Sequence, residues 1–183
     1  MTIPPSARLL FGEAQTPASL MAIATIGTGV AVAFYAIAGG FEDLPSWRKW
    51  LALALVFDIA SGCVANFTPG TKAYYRSRRR LRWIFIGVHL HPIAIAALLG
   101  WPPGPSGCVW LYTIISAALV NAVGDRWQFL TAGCALVAGL VVAVFLAGGG
   151  SPMMLVAQLF MTKMIIAFAV TGEAGSLTLN RPA

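Results

Sequence analysis

Long apolar runs alternate along this chain with short polar breaks. Six runs have the length to matter: residues 17–41, 47–67, 81–100, 107–123, 127–148 and 152–172. About 20 apolar residues in a helix cross ~30 Å of hydrocarbon. The breaks read "GGFEDLPS", "TPGTKAYYRSRRR", "GWPPGPSG", "GDR" and "GGGSP", where glycine and proline punctuate and charges mark water. A backbone in lipid must satisfy its own hydrogen bonds, so the runs are expected as helices. The pattern predicts an all-α, polytopic integral membrane protein: a single transmembrane domain of six helices running up and down. The first run exceeds the ~7–15-residue core of a secretory signal and is therefore read as a span.

Composition agrees with this pattern. Of 183 residues, 58% are hydrophobic and 10% charged, against roughly 25% charged in soluble domains. The net charge of +6 does not point to nucleic acid, because six of the twelve cations lie in one short loop. With the N-terminus inside, Arg8, the six cations from Lys72 to Arg82, Arg126 and Arg181 share one side, and Arg48 and Lys49 the other. That excess of nine over two predicts both termini in the cytoplasm, which in a bacterium means a multi-pass protein of the inner membrane. All six tryptophans fall at or near expected span ends, where an interfacial belt would hold them. Tyr74, Tyr75, Arg76, Arg78, Arg79, Arg80 and Arg82 form an inner-edge cluster suited to anionic lipid head groups, or simply to anchoring the topology. Asn121, Asp125, Arg126, Gln128 and Glu173 fall at the same edge. Small-residue pairs (Gly29 with Ala33, Ala135 with Gly139, Ala143 with Ala147) suit close helix packing, within one chain or in a homo-oligomer.

Ionisable residues inside the runs carry the candidate chemistry. At ~1.5 Å per residue, Asp58, His89, His91 and Lys163 all lie about 10–15 Å from the inner ends of their spans, with Thr25 at a similar level. A charge at the middle of a span costs about 2.5–3.5 kcal/mol on insertion scales, so such groups face an interior and pair. Asp58 with Lys163 is the expected pair. Asp58, Gly62 and Asn66, spaced by four, share one helical stripe, with Ser61 beside it; Thr68 and Thr71 extend it as a polar track to the inner face. Pro92 cannot donate to the carbonyl of Val88, so span three is expected to kink beside His89.

His89 and His91 are two residues apart, which on a regular helix points them to opposite sides and leaves one of them for Asp58. That geometry argues against metal, and no cofactor is expected; Asp58, Cys63 and His91 would be the best set available. Cys63, Cys108 and Cys134 are read as small buried apolar groups. Three functions remain open. A midplane Asp–His–Lys site suits a small transporter or channel-like protein coupled to protons. The same groups suit a membrane-embedded enzyme acting on a lipid or quinone-like substrate. They also suit an accessory subunit in which the polar groups only lock helices together.

Overall fold

The computed structural model describes residues 1–147 and 150–170, with the side chains of Arg79 and Ala147 outside the described set. Glu173 and Arg181 lie outside it too, as do the last residues of the fifth and sixth predicted runs. The described chain is helical. After a short helix α1 (Arg8–Phe11) come α2 (Pro17–Ile37), α3 (Ser46–Phe67), α4 (Pro69–Arg76), α5 (Arg79–Val88), α6 (His91–Leu99), α7 (Pro103–Ala122), α8 (Asp125–Ala147) and α9 (Pro152–Met161). A π-helical stretch, Thr162–Phe168, continues α9. Five segments are long and apolar enough to cross a membrane: α2, α3, the α5–α6 segment Arg80–Leu99, α7 and Asp125–Leu146 of α8. They point to an integral membrane protein. The sixth apolar helix, Pro152–Phe168, is shorter.

Local chemistry sets the ends. Thr16, Thr68 and Ser151 cap α2, α4 and α9 through their hydroxyls, each with proline in the first turn. Prolines in a first turn cost no helical hydrogen bond. This explains why α7 begins at Pro103, four residues before the expected 107, inside a stretch read as loop. The earlier start puts Trp110 two turns into α7. Its Nε1 is buried with no partner among the described residues, so it does not belong to the interfacial belt. Trp47, Trp50, Trp83 and Trp127 are exposed as a belt requires.

The core lies around α3, which packs on α2, α6, α9 and the π-helical stretch. Val56, Ile59, Ile95, Val109, Val156, Phe160 and Ile165 are fully buried there. α2 approaches α3 closely at Gly27, where a Cβ would stand 2.8 Å from the Phe57 ring and 2.9 Å from the Ser61 Cβ. Gly29, expected in that role, faces open space. Gly139 does serve close packing, against Tyr112 and Met161. Of the cysteines only Cys63 is buried; Cys108 and Cys134 lie exposed on the exterior of α7 and α8, contrary to expectation.

A Gly27→Leu substitution has nowhere to put its side chain except between α2 and α3. We expect it to lower stability by about 1–3 kcal/mol, read as an earlier thermal melt in detergent. Gly29→Leu, on open surface, should melt as the parent does.

Candidate functional site

The break between α5 and α6 shapes the site. Pro92 withholds a donor from α5, and the helix stops at His89 (φ −81°, ψ 77°) and restarts at His91. Leu90 N–H bonds the Val88 carbonyl at 3.0 Å, a tight local turn. The expected kink is therefore a full interruption, and it overturns the placement of the two imidazoles on opposite sides. Their ring centroids are 5.0 Å apart. His89 Nδ1 donates to the Phe85 carbonyl one turn back, filling a gap in the helical ladder. His91 Nε2 lies 3.0 Å from Asp58 Oδ2.

Lys163 arrives from the other side. It sits at the start of the π-helical stretch, where Thr162 Oγ1 donates to the Gln158 carbonyl at 2.8 Å, a back-bond that loosens regular α-helix. Single π turns occur often at functional positions. Lys163 Nζ donates to Asp58 Oδ2 at 2.8 Å and to the Asp58 backbone carbonyl at 3.2 Å. The stripe residue between Asp58 and Asn66 makes room for it: a Cβ on Gly62 would stand 2.7 Å from Lys163 Cε and Nζ. One carboxylate oxygen thus accepts from two donors on two different helices. Lys163 is 2% exposed, the Asp58 side chain 32% and the His91 side chain 18%. Thr25 faces outward on α2 and takes no part.

Below this trio lies a cavity of about 90 Å³, room for a few waters. Asp58, His89 and Lys163 line one end of it, Ser61 and Asn66 its wall. Asn66 Nδ2 is buried with no partner among the described residues. Leu9, Leu10 and Phe11 of the N-terminal segment form part of its lining. The predicted track therefore stops short of open water. Gln15 Nε2 donates to Thr68 Oγ1 at 2.7 Å and to Thr71 Oγ1 at 3.2 Å, so both threonines are covered. Gly12 and Gly70 meet backbone to backbone: a Cβ on Gly70 would lie 1.9 Å from the Ala14 carbonyl oxygen. Tyr75 Oη donates to the Leu9 carbonyl at 2.6 Å, and Arg78 pairs with Glu13 at 2.6 Å. Burial, with Tyr74 beside it, holds the Tyr75 phenol above its ordinary range, so it keeps its proton and donates at neutral pH. Residues 1–15 pack over this end of the track like a plug, and sequence reasoning missed them. The signal available was two isolated glycines, Gly12 and Gly70, outside any run.

The basic cluster divides. Arg76 and Arg80 are exposed. Arg78 stacks on the Tyr74 ring at 4.1 Å besides pairing with Glu13. Tyr75 and Arg82, expected to meet lipid head groups, are buried instead, Tyr75 under the plug and Arg82 with Nη2 3.4 Å from the Ala169 carbonyl. The donor atoms of Asp58, His89 and His91 lie within 4.8 Å of one another, a three-residue set that can hold a metal ion. Cys63, expected in the best such set, is not part of it.

No family model, curated protein or solved structure matches this chain.

The unequal exposure of the partners sets unequal costs. Asp58→Asn strands a fully buried ammonium, which costs about 3–5 kcal/mol. Lys163→Met leaves a part-exposed carboxylate still bonded to His91 and should cost less. The double variant should recover much of the Asp58→Asn loss, and denaturant unfolding in detergent measures all three. For the plug, Gly70→Val clashes with the Ala14 carbonyl. With the native cysteines replaced, it should raise labelling of a Ser61→Cys reporter by an impermeant thiol reagent; unchanged labelling would mean the plug does not control access.

Proposed function

We propose that the chain is a six-span transport protein coupled to protons, with Asp58, His91 and Lys163 as its exchange centre. The observation that carries this reading is the single oxygen, Asp58 Oδ2, shared by Lys163 and His91, with Asp58 and Lys163 lining a small cavity. Two donors competing for one acceptor form a switch. A proton taken by Asp58 weakens the bond to Lys163, and the ammonium must then find another anion or give up a proton. Ionisable groups of this kind at membrane depth mark ion and proton pathways.

The cation excess at the end that carries α4 supports placing that end, with both termini, in the cytoplasm. The sixth apolar helix then completes an even number of spans. Residues 1–15 close the cytoplasmic mouth, and movement of this plug would admit water to Ser61 and Asn66. Arg76 and Arg80 remain free for anionic head groups at that face.

A second reading has its own observation. Phe57 walls both the cavity beside Asp58 and an apolar cavity of about 310 Å³ between α2 and α3. An amphiphile with its tail there and its head toward Asp58 would suit a membrane-embedded enzyme. Native mass spectrometry showing a co-purified lipid that is turned over on incubation would favour it.

The test of transport uses proteoliposomes loaded with a pH-sensitive dye and driven by gradients of divalent cations or small organic solutes. We expect proton movement with at least one gradient, reduced about tenfold or more by Asp58→Asn, since this removes the exchanging carboxylate outright. Movement that survives in a folded Asp58→Asn protein, or none under any gradient, would sink the reading.

A further inference from the structure

The cluster at the helix break has a property that proton exchange alone does not use. Because His89 Nδ1 keeps its proton and donates a hydrogen bond to the Phe85 carbonyl, its Nε2 carries the free lone pair. A histidine whose second nitrogen is held by a backbone carbonyl is oriented as metal-ligating histidines are. On His91, Nδ1 is buried without a partner among the described residues. In the bond to Asp58 Oδ2 the proton sits on Nε2; with the proton on Nδ1 instead, Nε2 turns from donor to ligand. Asp58 supplies the oxygen.

The spacing suits an ion. Ligand atoms about 2.0–2.2 Å from a tetrahedral ion lie roughly 3.4 Å from one another. Here His91 Nε2 and Asp58 Oδ2 are 3.0 Å apart, and the three donor atoms all fall within 4.8 Å of one another. The widest separation needs to close by about 1.4 Å to reach that tetrahedral edge, within the range of side-chain rotation. The cavity beside them has room for water as a fourth ligand.

One of the three ligand groups, Asp58, is now held by a cation of the protein's own. Lys163 Nζ bonds Asp58 Oδ2, and its second bond, to the Asp58 backbone carbonyl at 3.2 Å, gives it a place to remain when Oδ2 turns away. We infer that Asp58, His89 and His91 form a binding site for a divalent transition-metal ion, in which Lys163 is the competing cation. Two imidazoles and one carboxylate favour zinc or cobalt over magnesium or calcium, which want oxygen ligands. This inference rests on the transport reading above and names the cargo class of that same site.

Binding is measured first, apart from any transport. Co²⁺ is titrated into the purified full-length chain in detergent, following its visible spectrum and its heat of binding. We expect one ion per chain, a spectrum of tetrahedral nitrogen–oxygen ligation, and no change with Mg²⁺. Lys163→Met should bind about tenfold tighter or more, because a like charge some 4 Å away is gone. His89→Ala and His91→Ala, each confirmed folded by its melt, should each lose the spectrum. No binding by a folded Lys163→Met protein, or binding that survives loss of both imidazoles, overturns the inference. Proteoliposomes separate the two ideas. Proton movement without Co²⁺ binding leaves the exchange centre standing and removes the metal. Co²⁺ binding without proton movement keeps the site and removes the coupling.

Discussion

A buried ammonium needs an anion within reach, and much of this structure follows from where Lys163 finds one. Its side chain is enclosed by α3, so α3 must present both a carboxylate and a gap. Asp58 is the carboxylate, and Gly62, one turn on, is the gap. The π-helical stretch starts where Lys163 leaves α9, and α3 packs against both the stretch and α9 itself. Pairing neutralises two charges whose separate insertion costs about 2.5–3.5 kcal/mol each. The same enclosure makes the pair asymmetric, because the Asp58 side chain stays 32% exposed while that of Lys163 is 2% exposed.

The second constraint is one missing amide. Pro92 deprives α5 of a donor, and the chain responds by stopping one helix and starting another. A continuous helix would turn residues 89 and 91 apart by about 200°. The interruption turns both imidazoles to one side, toward the Asp58 carboxylate. His89 takes up a carbonyl left free near the end of α5, and His91 takes up the Asp58 oxygen. A gap in the backbone ladder has thus been filled by side chains that can also do chemistry.

How much of this was legible in the chain depended on range. The helices, their order and the pairing of Asp58 with Lys163 follow from apolar runs and depth along a helix, which are one-dimensional quantities. The kink at Pro92 was legible because a missing donor acts locally. Its consequence for His91 was not, since it depends on how far the chain turns after the break. The plug was hidden because Gln15 lies more than fifty residues from Thr68 and Thr71, and neither hydropathy nor helical period links it to them. Tyr75 and Arg82 were misplaced for a related reason. Their composition resembles a lipid-facing edge, while their burial is set by the plug and by the end of the last helix.

The plug also has a history within each molecule's own synthesis. Residues 1–15 leave the ribosome before their seat, from Thr68 to Arg78, which emerges more than fifty residues later. Until α2, α3 and α4 are in place there is nothing for Gln15, Leu9 or Glu13 to bind. The polar stripe of α3 therefore enters the bilayer uncovered, before Lys163 has been made, and Asp58 waits for its partner. A nascent chain paused between α4 and α6 carries an acid in its third helix with neither His91 nor Lys163 to meet it. That interval is when an insertion factor, or premature exit into lipid, would act on this protein.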